Sequence, residues 1–440
     1  MTRTRWLALT AATMLVTACG AGDDTADADS ATAQDAATAA TGDPEDDTED
    51  DTEDEEAQVG EDDRQEHDDP QRRLVVAEDE SGGVLLVDLD AWEVTTTLDL
   101  GGPVVTHGAA LTEDRRFLLL PHEDAVSVVD GGVWSSRHGD HAHHYSADPT
   151  VVGRIEGPKP SHLVSAGGRS ALYFDGSGEA HLLDDQALRD GDAAPVATVT
   201  TGEPHHGFAI PLGDELLVTV PTPDMVDMPD RVGVADEDGI VSDEFTCTKT
   251  HGEAVLDGGA AAACEDGVLM VTAAGERWDA THVPYPDVDD VDPYEYGPAR
   301  AWVLAAPDGV DWLTAPLGAR HVLRVDPAAG TAEAFDLDQD VAMFGLAADG
   351  EGRLIVLTTD GALQALDPED GTVLARREVI PPFEEGDPGR PFHRLVRSGD
   401  HLYVTDPTTD TVTEVATADL TVTRTLELDL TPGFLGVLGG

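Results

Sequence analysis

Histidines recur in this sequence at the start of short apolar runs, and together their side chains could bind a metal ion. In residues 202–210 a glycine and a proline lead into a histidine, and the apolar residues after it are typical of a β-strand. The same pattern surrounds five histidines, which are His107, His162, His206, His251 and His393. Imidazole nitrogen is a good ligand for zinc, and three or four such ligands suffice.

The spacing of these histidines predicts that they meet in space. The steps from His107 to His251 are each roughly 45 to 55 residues, the length of one β-propeller blade. The first strand of every blade lines the central channel, so residues at one phase of the repeat converge near one mouth. We predict His162, His206 and His251, from consecutive blades, as the principal metal ligands, with His107 or His393 assisting. Single histidines can also be hydrogen-bonded polar groups of such a channel.

A second group of histidines lies close together in the sequence. The stretch from Arg137 to Tyr145 contains His138, His141, His143 and His144 together with glycine and aspartate, which predicts a loop. A short tract rich in histidine and aspartate is typical of metal binding. Mobile ligands of this kind suit uptake and transfer of an ion better than storage. The alternative is an ordinary solvated loop.

Short β-strands must position these residues. From Leu74 onward, runs of four to seven apolar and β-branched residues are separated by glycine, aspartate and proline. Three strands at the start, seven sets of four and one final strand predict an all-β, eight-bladed propeller, with seven blades as the alternative. The final strand, residues 434–438, would complete the first blade and thereby remove an exposed sheet edge.

The first 70 residues differ from the rest. Basic residues and an apolar run precede Val16-Thr17-Ala18-Cys19, which resembles a bacterial lipobox. Residues 1–19 therefore predict a lipoprotein signal peptide, with Cys19 carrying a lipid that anchors the chain to a membrane surface. An ordinary signal peptide would also place the protein outside the cytoplasm. Residues 20–70 are acidic and lack aromatic side chains, which predicts a disordered linker before the propeller of residues 71–440.

Charge and cysteine content restrict the function further. The net charge of −64 argues against nucleic acid or an anionic membrane as a partner. Cys247 and Cys264 are the cysteines after the signal peptide, and in an oxidising compartment we predict that they form a disulfide. Free thiols or metal ligands are the alternatives. The sequence has no phosphate-binding loop, no Gly-x-Ser-x-Gly and no His-Glu-x-x-His motif.

Several of these motifs resemble the AztD family of periplasmic zinc metallochaperones. The motifs are Lys159-Pro160-Ser161-His162, residues 174–178, residues 202–207, the segment from Cys247 through His251-Gly252-Glu253 to Cys264, and the His-rich stretch. The resemblance runs from about Leu74 to the C-terminus. It implies an eight-bladed propeller that binds zinc and passes it directly to the solute-binding protein of a zinc ABC transporter. His162, His206 and His251 match the motifs most securely, whereas the acidic linker and lipobox depart from the family pattern.

We therefore predict a monomeric, lipid-anchored, extracytoplasmic zinc chaperone without enzymatic activity. Glu253 lies beside a predicted ligand, which leaves a metal-dependent hydrolase or lactonase as an alternative. A propeller that binds other proteins without any metal is the third possibility.

Overall fold

The computed structural model describes residues 64–139, 141–223, 225, 228–236, 239–275, 277–288, 300–385 and 390–440. The chain divides into Met1–Glu55 and one compact unit, Glu56–Gly440. The signal peptide with Cys19, and the linker up to residue 63, lie outside the described residues and stay predictions. No helix within the described ranges is long and apolar enough to cross a membrane.

The described residues are almost entirely β-structure, which confirms the predicted fold class. One 3-10 helix, Thr106–Gly108, and one α-helix, α1 (Asp185–Arg189), interrupt the strands. In chain order the strands are β1 (Gln65–His67), β2 (Arg73–Ala77), β3 (Gly83–Asp88), β4 (Glu93–Asp99), β5 (Ala110–Leu111), β6 (Phe117–Pro121), β7 (Ala125–Asp130), β8 (Val133–His138), β9 (His141–Ser146), β10 (Thr150–Glu156), β11 (Pro160–Ala166), β12 (Arg169–Phe174), β13 (Glu179–Asp184), β14 (Ala197–Thr200), β15 (Ala209–Leu212), β16 (Glu215–Val220), β17 (Arg231–Asp236), β18 (Gly239–Thr246), β19 (Glu253–Leu256), β20 (Gly259–Ala263), β21 (Gly267–Ala273), β22 (Trp278–Pro284), β23 (Leu313–Leu317), β24 (His321–Asp326), β25 (Thr331–Asp336), β26 (Val341–Ala348), β27 (Leu354–Thr358), β28 (Ala362–Leu366), β29 (Val373–Glu378), β30 (Leu395–Ser398), β31 (His401–Asp406), β32 (Thr411–Ala416), β33 (Val422–Glu427) and β34 (Phe434–Leu438).

The strands form successive antiparallel sheets, most of them four-stranded and built from neighbours in sequence, as in a β-propeller. Three sheets depart from sequence order, namely β1-β9-β8, β10-β7-β6-β5 and β34-β2-β3-β4, and the last of them joins the two ends of this unit. Ala77 pairs with Phe434 and Arg73 with Leu438, so β34 adds to β2 over the whole length of the strand. This pairing gives β2 hydrogen-bonded neighbours on both sides and closes the series of sheets.

Apolar side chains between adjacent sheets hold the sheets face to face. Ala261 and Val268 of one sheet share a buried cluster with Leu323 of the next, and Leu363 shares another with Leu402. Central strands such as β6 are buried at every residue, whereas the outermost strands, such as β4, are mostly exposed. Burial of apolar surface between sheets is the main force that fixes their relative positions, and with them the inner strands.

The His-rich stretch is a β-hairpin, not the loop predicted from its glycine and aspartate. Strands β8 and β9 pair along their full length, with His138 opposite His141. Strand β1 adds to β9 and places His67 opposite His144, so three residues of the predicted linker are ordered in a sheet. A side-chain hydrogen bond of 2.7 Å between His67 Nε2 and Ser146 Oγ accompanies this pairing. The backbone partner offered by β9 explains why an acidic, apolar-poor segment becomes a strand here.

Closure by β34 predicts a large effect of truncating its buried residues. Leu438 is fully buried among Val75, Leu86 and Val133. We expect Leu438→Ala to lower the free energy of unfolding by about 2 to 5 kcal/mol, because it leaves a cavity at the closure. Chemical denaturation followed by tryptophan fluorescence measures this loss. The matched control, Val422→Ala at a residue 40% exposed, should stay within about 0.5 kcal/mol of wild type, and an equally small change for Leu438→Ala would contradict the closure argument.

Candidate metal centre

Three histidines from different sheets converge on one point. His162 belongs to β11, His206 precedes β15 and His251 precedes β19. Each offers a ring nitrogen, and these nitrogens all lie within 4.8 Å of one another. The ring centroids are 5.0 Å apart for His162 and His206, 5.3 Å for His162 and His251, and 5.2 Å for His206 and His251. The three rings therefore form a nearly equilateral triangle around a space the size of one ion.

Each ring is anchored through its Nδ1 atom. The Nδ1 of His162 donates to Glu253 Oε1 at 2.8 Å, and the Nδ1 of His206 donates to Asp175 Oδ2 at 2.7 Å. The Nδ1 of His251 donates to the Trp302 carbonyl oxygen at 2.6 Å. Because all three acceptors are oxygens, the proton of a neutral ring lies on Nδ1 and the Nε2 lone pair is left for a ligand bond. Such outer partners orient metal-binding histidines and make them more basic.

The separation of two of these nitrogens matches a tetrahedral metal ion. His162 Nε2 and His206 Nε2 are 3.3 Å apart. Two nitrogens bound to one tetrahedral zinc at about 2.0–2.1 Å lie roughly 3.3–3.4 Å apart. Two unprotonated nitrogens at this distance repel each other unless a proton or a metal ion lies between them. The pair is thus arranged for a cation.

Burial and neighbouring charges set the protonation states of the histidines and of their carboxylate partners. Burial lowers the pKa of His251 to about 3, and positive charge on His162 or His206 acts in the same direction, so this ring is neutral at pH 7. Burial also lowers the pKa of His162, but the charge and hydrogen bond of Glu253 outweigh it and the net pKa is raised. For Asp175, burial raises the pKa, yet the hydrogen bond and charge of His206 lower it overall, which keeps the carboxylate ionised.

Local backbone features explain the position of His162. The register of β11 and β12 shifts between Pro160 and Leu163, so two residues of β11 lie opposite one of β12. Such a β-bulge redirects side chains and is common beside functional sites. Just before it, Lys159 has a φ of 53°, in the left-handed region. Ser161, the other bulged residue, donates from Oγ to Asp175 Oδ1 at 2.5 Å and so links the bulge to the anchor of His206.

A disulfide braces the segment that carries His251. Cys247 and Cys264 form the predicted bridge, with Cα atoms 4.9 Å apart. Next to Cys264, the carbonyl oxygen of Ala263 accepts from the backbone N–H of His251 at 3.1 Å. The disulfide at Cys247 and the hydrogen bond at His251 therefore fix the two ends of this short segment to the end of strand β20.

The three histidines line a cavity of about 570 Å³ at the inner strands. His107 lines the same cavity, although it lies on the 3-10 helix Thr106–Gly108 and not on a strand as predicted. Among the described residues, only His162, His206 and His251 form a group with ligand atoms within 4.8 Å of one another. An assisting role for His107 would therefore need its side chain to approach that group.

The structure contradicts the assisting role predicted for His393. Its ring stacks on Phe383 with the centroids 3.5 Å apart, and its Nε2 lies 3.5 Å from Asp406 Oδ1. The side chain is buried outside the described cavity lining, which instead includes the next residue, Arg394. Adjacent residues in extended backbone point to opposite faces, so the register that directs Arg394 to the channel turns His393 away from it.

The His-rich hairpin is separate from this group. The rings of His141 and His143 are 4.9 Å apart, His143 Nδ1 donates to Glu66 Oε1 at 2.5 Å, and His144 Nδ1 hydrogen-bonds Ser135 Oγ at 2.8 Å. The side chain of His138 lies outside the described part of the structure. Metal binding by these four histidines stays a prediction.

Sequence reasoning missed two of the anchors. Asp175 was part of a recognised motif but resembles an ordinary Asp-Gly turn residue, and the Trp302 carbonyl has no side-chain signature. Glu253, which the sequence places beside a predicted ligand, accepts a hydrogen bond from His162 in the structure. A signal for Asp175 was its position at the end of the strand that pairs with the His162 strand.

Comparison with known sequences finds a related zinc chaperone. No protein-family model matches the chain. The zinc chaperone AztD of Citrobacter koseri is 25% identical over 377 residues, which is 84% of this chain and 86% of that protein. The resemblance to AztD is confirmed.

Solved structures show that the fold is shared. The crystal structure of Citrobacter koseri AztD covers 84% of this chain and 99% of its own, with a TM-score of 0.76 and 24% identity. Its apo structure gives a TM-score of 0.75 at 24% identity, with 85% of this chain and 99% of that chain covered. The dihydro-heme d1 dehydrogenase NirN has a TM-score of 0.54 at 11% identity, covers 83% of this chain and 74% of its own, and shows only a similar architecture.

The outer anchors predict a graded loss of metal affinity. We expect Asp175→Asn and Glu253→Gln each to weaken zinc binding by about 10- to 100-fold, because a neutral amide orients its histidine less firmly and makes it less basic. Competition with a fluorescent chelator measures the dissociation constant. Glu179→Gln, at a partly exposed carboxylate outside the cavity lining, is the control. Unchanged affinity in both anchor variants would show that the carboxylates do not support the site.

The disulfide predicts a link between the cysteines and metal affinity. The double variant Cys247→Ser/Cys264→Ser should lose about 2 to 4 kcal/mol of stability and should also bind zinc more weakly, because the turn before His251 is released. Denaturation and chelator competition give the two quantities. The destabilised variant Leu402→Ala, a fully buried residue away from both the closure and the site, controls for stability alone and should retain wild-type zinc affinity. Equal zinc affinity in the serine variant and wild type would refute the link.

Proposed function

We propose that this protein is a zinc metallochaperone and that zinc is its cargo. The observation that carries the proposal is the group of three histidines, each anchored at Nδ1 and each directing its other ring nitrogen to one point. We assign His162, His206 and His251 as the zinc ligands. A site of three nitrogen ligands suits zinc and leaves the fourth tetrahedral position for another ligand.

An open fourth position suits transfer better than storage. An incoming ligand from a partner can bind the ion before the three histidines release it, so the ion need not be free in solution. The similarity to a protein named zinc chaperone supports this role. We propose that the acceptor is the solute-binding protein of a zinc ABC transporter.

The His-rich hairpin and His107 complete the proposal. His138, His141, His143 and His144 would capture ions or guide their exit, since they concentrate ligands on one hairpin. His107, which lines the same cavity as the three ligands, would assist at the open position.

Location and architecture extend the proposal. We propose an extracytoplasmic monomer anchored by a lipid on Cys19, with the part of residues 20–70 that precedes strand β1 as a linker. A flexible chain of that length has a root-mean-square end-to-end distance of about 40 Å, enough to bring the cavity to a membrane-bound transporter.

We also propose that the propeller has eight blades. The sheet β23-β24-β25 has three strands, and the bridge between Ala305 and Thr314 lies where its fourth, innermost strand would be.

A catalytic role is the weaker alternative. Glu253, the candidate base indicated by the sequence, accepts a hydrogen bond from His162 Nδ1, just as Asp175 accepts one from His206. Its carboxylate is therefore engaged in orienting a ligand, which favours a carrier over a hydrolase. Turnover of esters or lactones that disappears in zinc-saturated Glu253→Gln would instead identify an enzyme.

Zinc stoichiometry and transfer rate test the proposed function. Wild-type protein should bind zinc tightly at the three-histidine site, and each single variant, His162→Ala, His206→Ala or His251→Ala, should weaken it by at least about 100-fold, since one of three ligands is lost. Chelator competition measures the affinity. Zinc should then move to the metal-free solute-binding protein faster than it is released to a chelator.

The control for these variants is His401→Ala, because His401 is a partly exposed histidine outside the group. It should retain full affinity. Wild-type zinc affinity in the triple alanine variant would overturn the ligand assignment. Equal rates of transfer and spontaneous release would refute direct transfer.

A further inference from the structure

The cavity next to the three histidines contains two basic side chains in an otherwise very acidic protein. The sequence has 89 acidic and 25 basic residues, and Lys159 is one of two lysines. Lys159 and Arg394 both line the cavity that His162, His206 and His251 also line. Their presence beside a cation site requires an explanation, because each repels a bound metal ion.

Arg394 is held so that part of its guanidinium is left for the cavity. The side chain is buried, its Nε donates to the Gly433 carbonyl at 2.8 Å, and its Nη2 donates to the Thr106 carbonyl at 3.1 Å. The guanidinium carbon lies 4.3 Å from the Phe344 ring centroid. A buried cation fixed by these contacts therefore lines the cavity, and its Nη1 has no hydrogen-bond acceptor among the described residues.

Lys159 differs from Arg394 in having no anionic partner among the described residues. It is exposed at the cavity, its backbone adopts the left-handed conformation with a φ of 53°, and it forms no ion pair with any described residue. The other lysine, Lys249, is paired with Glu265. The ammonium of Lys159 is thus free to meet an anion that enters the cavity.

The charges of a loaded site favour an anion there. Apart from the histidines, the charged residues among the described cavity lining are Asp175, Glu253, Lys159 and Arg394. The two carboxylates offset the charge of one divalent ion through the rings that they anchor. Asp79 and Glu385 act electrostatically on Arg394, so the charge of Lys159 is the less compensated of the two basic groups. The open fourth position of the metal is then the strongest attraction for an anion in the cavity.

From this we infer that the cavity binds a small monoanion, a carboxylate or a halide, at the fourth position of the metal, with Lys159 and Arg394 stabilising its charge. The inference rests on the proposed metal site and adds a second ligand class to it. A carboxylate on an incoming partner has the same chemistry as free acetate. The basic pair would therefore guide the first step of ligand exchange.

Cobalt(II) in place of zinc tests the inference, because its visible absorption responds to the identity of the fourth ligand. Cobalt-loaded wild-type protein is titrated separately with acetate and with chloride, at an ionic strength held constant with perchlorate. We expect a saturable spectral change with at least one of them, and the two titrations distinguish a carboxylate from a halide. In Lys159→Gln the anion dissociation constant should rise about fivefold, while Arg154→Gln, a basic residue outside the cavity, should behave as wild type.

Arg394→Lys provides a second variant that keeps the charge but loses the fixed geometry of the guanidinium, and it should also weaken the anion. A cobalt spectrum that shows three-histidine binding but does not change with either anion would overturn the inference and leave the zinc site intact. Wild-type anion affinity in Lys159→Gln would overturn it as well. Failure of cobalt to bind in wild type would refute the metal site itself.

Discussion

The pairing of β34 with β2 is the constraint on which the candidate site depends. It joins residues from the two ends of the compact unit, Ala77 with Phe434 and Arg73 with Leu438, into one sheet. Without this closure, the first and last sheets would be joined only through side-chain contacts such as those of Leu74 with Tyr403, and no longer through a shared strand. The inner strands would then be free to separate, and the histidines that they carry would lose their common point.

Convergence of strands places the rings near each other, but it does not orient them. Orientation comes from acceptors on other segments: Asp175 for His206, Glu253 for His162 and the Trp302 carbonyl for His251. Each acceptor fixes the proton on Nδ1 and so directs the unprotonated nitrogen inward. These three hydrogen bonds orient the rings so that their free nitrogens surround a space for one cation.

The charge of the cavity lining differs from that of the chain as a whole. The surface carries the great excess of acids, whereas the cavity combines two carboxylates with two basic side chains. Carboxylates that act through a histidine support a metal without occupying its coordination positions. Basic groups that line the same cavity would favour an anionic ligand at the remaining position. The local composition therefore differs from that of the whole chain because it serves a bound ion and not solubility.

The sequence by itself determined the all-β class, the propeller pattern, the resemblance to AztD and the three histidines that converge, because each of these depends on periodicity or on short motifs. It also indicated that Cys247 and Cys264 pair. The tertiary structure alone decided that His393 turns to Asp406, that the His-rich stretch is a hairpin, and that Asp175 and a Trp302 carbonyl anchor the rings. These features depend on register, on a β-bulge and on contacts between segments far apart in the chain, and local residue types do not encode such distances.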